Sequence, residues 1–274
     1  MKLPTIRQRI DTIDKKIFVL LQERMGLALR SKKFKKTVFD PEREKSMLTG
    51  IDQMSLDLLD RSFMKNLLKI IMDESKRLQS ENRPLVAFQG EHGAYGEVAA
   101  RKLVPQGATI PCPELNDIFQ GVAEGYLDLG VVPVESSLES AVIQATDLFF
   151  KTELKIIGEK TIQDGPDNFT RFVLLSKKPA EAAGNKTSII FSTRHKAGSL
   201  HSILKLFADA GINLTRIASM PLRTDPGIYS FFLDFEGSQA NPLVSDVFHK
   251  MAALTVSLKL LGSYPADQTQ EGGK

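Results

Sequence analysis

The sequence predicts a multidomain chain: all-α helices first, then a single α/β lobe, then a smaller α+β sandwich. Three observations predict it. Ile6, Ile10, Ile13, Ile17 and Leu20 recur in alternating steps of four and three, which marks a long helix with one apolar stripe. From Leu85 to Ile157, short apolar runs alternate with helical patterns, as in an α/β layer with a mostly parallel sheet. From Thr187 to Gly262 the order is strand, helix, strand, strand, helix, strand.

The chain has 274 residues, 42% hydrophobic and 25% charged, the composition of a soluble globular protein with room for two or three domains. No apolar run reaches membrane-spanning length and no charged-then-apolar signal opens the chain, so no membrane partner is expected. The single Cys112 excludes a disulfide framework and fits a reducing cytoplasm. His92, His195, His201 and His249 have no ligand spacing, so neither a metal nor a cofactor is expected. Residues 1–36 carry eleven Lys/Arg against three Asp/Glu. Their only aromatics are Phe18 and Phe34, which favours a small anionic substrate over nucleic acid.

Pro4 suits the first turn of the long helix, and no Gly interrupts it before Gly26. From Pro4 to Lys35 it would span about 48 Å, too long to bury its stripe alone, so a partner chain is expected. Arg24 sits on the stripe. There it either snorkels or pairs with a Glu, or it meets an anion. Lys35 lies eleven residues on, about 16 Å away at nearly the same angle, so the two could grip one small dianion. Arg7 is about 25 Å from Arg24 and is assigned to the other subunit's site. Asp40-Pro41 starts a second helix ending near Thr49-Gly50. A third runs from about Ser55 to Ser80, and its Leu67–Ile71 row continues to Ser75 and Gln79.

Residues 1–82 resemble the all-helical chorismate mutase family through IRQRIDTIDKKIFVLLQERMGLA, VFDPERE and IIMDESKRLQ. The resemblance implies an intertwined homodimer that rearranges chorismate to prephenate. It implies that Arg7, from the partner, and Arg24 clamp carboxylates, and that Lys35 and Gln79 donate to the ether oxygen. Glu44 would accept from the ring hydroxyl, with Asp40, Arg43 and Ser75 positioning these groups. The rearrangement is pericyclic. It needs a compact conformer and stabilised charge, not a nucleophile.

After the linker Asn82-Arg83-Pro84 comes strand Leu85–Phe88, a turn with Gly90, Gly93 and Gly96, and a helix from Glu97. GxxGxxG is not dinucleotide spacing. Helix Leu115–Glu124, strand Leu127–Val132, helix Ser140–Phe150 and strand Leu154–Ile157 follow. Residues 85–178 resemble prephenate dehydratase through AFQGEHGAYGEVAA, VVPVESSLESAV and IQDGPDNFTRFVLL, which implies an acid-assisting role for Thr170. Gly96, Ser136, Glu139 and Ser140 depart from the family pattern. The larger departure is an absent second lobe, expected between Gly158-Glu159 and Ile162. The reaction depends on a closed cleft, so a single lobe predicts weak or lost dehydratase activity.

Pro179–Asn185 reads as a linker. The ferredoxin-like order over 187–264 resembles the ACT regulatory domain through HKAGSLHSILKLFADAGINLTRIASMPLR. That implies phenylalanine as effector near Gly198, Ser199, Leu200, Asn213 and Leu214, between paired sandwiches. The Gln- and Gly-rich tail 265–274 is expected to be disordered. Together the segments imply a chorismate mutase of phenylalanine biosynthesis with a reduced dehydratase lobe. The alternatives are a fully bifunctional enzyme completing its cleft across chains, and a non-catalytic amino-acid-sensing dimer.

Overall fold

A computed structural model of the chain describes residues 2–35, 37–137, 142–165, 167–181, 184–221 and 227–267. The chain forms two compact units, residues 1–85 and 86–274. Among the described residues no helix is long and apolar enough to cross a membrane.

The first unit is three helices, α1 Leu3–Ser31, α2 Pro41–Asp52 and α3 Arg61–Ser80. The stripe on α1 is left open: Ile10 is 52% exposed and Leu20 62%. The helix is shorter than its sequence pattern. It ends at Ser31, Lys32–Phe34 tighten into a 3-10 turn, and Lys35 is extended. Like-charged lysines crowd that end and oppose further helix. Lys35 is therefore not on the helix with Arg24, contrary to the shared-angle expectation. Asp40 caps α2, accepting from the Arg43 N–H at 3.0 Å. The helix then carries through Gly50 rather than ending there. α3 starts at Arg61, not Ser55, because Asp60 accepts from the N–H groups of Ser62 and Phe63. Met72, Ser75 and Gln79 are its buried positions.

The second unit holds two sheets. The first has order β2-β1-β3-β5-β4, from β1 Leu85–Gln89, β2 Ala108–Cys112, β3 Leu129–Ser136, β4 Lys155–Gln163 and β5 Phe169–Ser176. It is mixed rather than mostly parallel. β1 and β3 are parallel, but β5 is antiparallel to both β3 and β4. The short connection 164–168 cannot make a parallel crossover, which needs a dozen or more residues. β4 also runs past Ile157, through Gly158–Thr161, with an irregularity between Ile156 and Gly158. β2 has no counterpart in the sequence reading. Pro111 interrupts its pattern, and an edge position tolerates that proline.

Helix α4, Tyr95–Leu103, packs Ala99 and Ala100 against Phe88, Val131, Phe172 and Leu174. The glycine-rich turn before it takes positive φ at Gly90 and Gly93. Glu97 locks that turn. Its carboxylate accepts from Gly93 N–H at 2.7 Å, Arg101 at 2.7 Å and Thr109 Oγ1 at 2.9 Å, and it meets His92 Nδ1 at 3.1 Å. Burial works against its charge. The donors from Gly93, Arg101, His92 and Thr109 outweigh burial and hold the carboxyl at about 2. Two further helices, α5 Leu115–Glu124 and α6 Val142–Lys151, complete the lobe.

The second sheet has order β7-β8-β6-β9, from β6 Lys186–Arg194, β7 Leu214–Pro221, β8 Ile228–Glu236 and β9 Ser257–Tyr264. Helices α7 Ser199–Asp209 and α8 Pro242–Leu254 bury Ile203, Phe207, Val247 and Met251 against Phe191, Leu233 and Phe235. This is the expected ferredoxin-like order. The opposite face meets the lobe directly. The rings of Phe149 and Phe232 lie 5.9 Å apart, and Lys155 Nζ donates to the Leu260 carbonyl at 3.0 Å. A Cβ on Gly262 would stand 2.2 Å from the Ile156 carbonyl oxygen.

The expected disordered tail is pinned at its start. Ala266 N–H donates to Asn185 Oδ1, and Asp267 accepts from Lys160 Nζ and Thr161 N–H, each at 2.7 Å. The rest of the tail, 268–274, lies outside the described residues.

Two outcomes follow from these contacts. Gly262→Ala wedges β9 from β4 and should cost about 1–3 kcal/mol, read as a lower thermal midpoint. For Glu97, a depressed pKa means stability that is full above about 4.5 and lost as pH falls towards 2. Glu97→Gln should therefore melt well below the parent at neutral pH, and the gap between their thermal midpoints should narrow as pH drops through that window. A constant gap would remove the charge from the turn's support.

Candidate functional site

In the helical unit, Arg24 Nη1 donates to Ser75 Oγ at 2.5 Å across α1 and α3. Ser75 Oγ lies 2.9 Å from the Ile71 carbonyl, so the hydroxyl can accept from Arg24 and donate along its own helix. Burial pushes the Arg24 guanidinium pKa down. Among the described residues no carboxylate pairs with it. An anion arriving there would gain from both facts. Gln79 follows Ser75 by one helical turn on the same face, is 6% exposed, and its Oε1 has no partner among the described residues. A half-turn of the amide would present its N–H group instead.

The other expected residues are placed differently. Glu44 is half-buried and pairs with Lys76 Nζ at 3.2 Å, tying α2 to α3. Lys76 also pairs with Asp73 at 2.8 Å and lies 5.8 Å over the Phe39 ring. It was not singled out in the sequence, although it neighbours Ser75 and stands three residues from Asp73. Asp40 is committed to the cap of α2, and the Arg43 side chain is exposed. Arg7 and Lys35 are exposed, so one copy of the unit does not gather them with Arg24.

In the α/β lobe, β3 and β5 face each other in register, with Ser136 opposite Thr170 and Glu135 opposite Arg171. The Ser136 and Thr170 hydroxyls are 3.3 Å apart. Thr170 shares its strand face with Phe172 and Leu174, the face covered by α4. The Tyr95 hydroxyl at the start of α4 bonds to Asp164, which raises its pKa. Gly96 lets α4 approach the end of β1, since a Cβ there would lie 3.3 Å from the Gln89 carbonyl oxygen. Glu139 and Ser140 lie outside the described residues.

In the sandwich, Gly198 is the left-handed cap that starts α7, with Ser199 and Leu200 in its first turn. Asn213 and Leu214 follow the other end of that helix. The Asn213 amide donates to Glu236 Oε1 at 3.0 Å. Eleven helical residues separate the two groups by about 16 Å, so one sandwich does not gather all five around a small molecule.

Residues 6–80 match the model for chorismate mutase type II, and residues 86–162 that for prephenate dehydratase. A bifunctional chorismate mutase/prephenate dehydratase of Pseudomonas aeruginosa is 29% identical over 359 positions, covering 96% of this chain and 98% of that protein. Among solved structures, the prephenate dehydratase of Streptococcus mutans is similar at 27% identity with a TM-score of 0.59, covering 68% of this chain and all of that one. A protein described as GqqA, a novel type of quorum quenching acylase, is similar at 29% identity with a TM-score of 0.63, covering 69% of this chain and 98% of that one. One chain thus carries a chorismate mutase type II domain followed by a prephenate dehydratase domain, in the order of its bifunctional relatives.

Proposed function

We infer that the chain is a chorismate mutase of phenylalanine biosynthesis whose dehydratase lobe is reduced and impaired. The observation that carries the mutase reading is Arg24, desolvated beside a neutral hydroxyl with Gln79 one turn further on. Chorismate is a dicarboxylate, and its rearrangement places negative charge on the breaking ether oxygen. Arg24 would hold one carboxylate as a guanidinium fork does, and Gln79 would donate to the ether oxygen. Lys35 would close over the same oxygen from the extended segment after α1. Glu44 would take the ring hydroxyl, its carboxylate fixed by Lys76. Ser75 orients Arg24, while Asp40 and Arg43 hold the start of α2. Arg7 would complete the site from a second copy, whose α1 stripe would cover the exposed Ile10, Ile17 and Leu20.

The dehydratase lobe keeps the Ser136–Thr170 hydroxyl pair but only one wall. The loss of the second lobe is supported by β4, which runs unbroken through Gly158–Thr161. It is also supported by the alignment to the Pseudomonas relative, which spans 359 positions although this chain has 274 residues. A threonine hydroxyl is a weak acid in open water, so its help depends on an enclosed, preorganised pocket. The sandwich would take phenylalanine between two copies, with Gly198, Ser199 and Leu200 from one meeting Asn213 and Leu214 from the other.

A paired assay tests the whole reading. Chorismate should be consumed and prephenate should accumulate. Phenylpyruvate formed at an enzyme-like rate, and abolished by Thr170→Ala, would restore the bifunctional alternative. No chorismate turnover would leave an amino-acid-sensing dimer. Gln79→Glu tests the ether-oxygen role separately. A carboxyl donates only when protonated, so this variant should work at acidic pH and fail towards neutrality. An unchanged pH profile would take Gln79 out of that role.

A further inference from the structure

The largest unassigned cluster of charge lies where the sandwich meets the lobe. Arg171 is buried to 2% side-chain exposure. Its Nε lies 3.0 Å from Glu135, its Nη1 2.7 Å from Glu159 and its Nη2 2.5 Å from Asp234. Glu135 and Glu159 belong to β3 and β4 of the lobe, whereas Asp234 belongs to β8 of the sandwich. A second arginine crosses the same seam. Arg216 on β7 donates through Nη2 to the Val134 carbonyl at 2.6 Å and places Nε 3.5 Å from Glu135. Its Nη1 has no hydrogen-bond partner among the described residues.

The register turns these grips into a device. Along a strand, neighbouring side chains point to opposite faces. Glu135 and Arg171 face each other across β3 and β5, and the next cross-strand pair is Ser136 and Thr170. The sandwich therefore holds each hydroxyl-bearing strand one residue from its hydroxyl. It holds β5 through Asp234 and Arg171, and β3 through Arg216. Arg216 is also two residues along β7 from Leu214, the last residue of the effector reading.

We propose that Arg171 and Arg216 make the Ser136–Thr170 pair answer to the state of the sandwich. The proposal rests on the reading of Thr170 as the lobe's reacting hydroxyl for its regulatory meaning, though not for the coupling itself. A shift of β7 or β8 changes the pull on Glu135 and Arg171. The buried, paired charges cannot relax into water, so the strands move with them. The unsatisfied Nη1 of Arg216 makes its grip the weaker of the two and the first to yield.

Amide hydrogen exchange on the full chain tests this without any turnover. Arg216→Gln removes one grip, and Ser188→Ala removes the 2.5 Å donor to Asp234 Oδ1 that supports the other. Arg216→Gln should speed exchange over residues 134–137, and Ser188→Ala over 169–172, each by about fivefold or more, with residues 86–89 of the same sheet unchanged. Uniform acceleration across the sheet, or none in the hydroxyl-bearing segments, would overturn the coupling. Should Arg216→Gln fail to fold, the milder Ser188→Ala decides alone by the same contrast. Failure of the dehydratase reading is read separately, from the paired assay.

Discussion

A guanidinium taken out of water dictates much of the second unit. Burial works against the charge of Arg171, but Asp234, Tyr264, Glu159 and Glu135 outweigh it and raise its pKa. Removing one partner of such a group typically costs about 3–5 kcal/mol, because the remaining charge is stranded. The strands around it are therefore polar where a sheet face would ordinarily be apolar. Ser188 bonds to Asp234 and to the Tyr264 hydroxyl, and Lys186 joins Glu159 at 2.9 Å. Asp267 extends the network past β9, its N–H donating to Glu159 Oε1 at 3.0 Å. The lobe and the sandwich are held together by charges that neither could bury alone.

Arg24 presents the opposite case with the same side chain. It is half-buried, its neighbour is a hydroxyl, and burial lowers its pKa without a carboxylate to reverse the shift. A saturated guanidinium stabilises an interface, whereas an unsaturated one has affinity to offer an incoming anion. The chain's two most telling arginines thus separate by environment rather than by residue type. The difference arises because the group facing Arg24 is the Ser75 hydroxyl, itself against Met25 Sδ and the Ile71 carbonyl, none of them ionised.

Much of this was legible where the signal is local. Asp40-Pro41 is a cap, the row Leu67–Ile71–Ser75–Gln79 is one helical face, and the βαββαβ order survives in the structure. The misses come from long-range effects. The lysine-rich end of α1 reads as helix by spacing alone, yet it turns at Ser31. β2 and the second half of β4 depend on neighbours to pair with, and Pro111 and Gly158 mask the pattern. The sequence drew notice to Thr170 and passed over Arg171, because Asp234 stands far along the chain and no local spacing announces it.

The alternation of β5 gives the strand two faces with different surroundings. The Thr170 face is covered by α4, whereas the Arg171 face carries the buried ion network. β4 is the outer strand of its sheet, and an exposed edge invites pairing with other chains. Here Asp267 occupies the Thr161 N–H of that edge and binds Lys160, so the segment just after β9 covers part of it. The sheet's outer edge and its Arg171 face are thus both secured by contacts from the sandwich half of the unit.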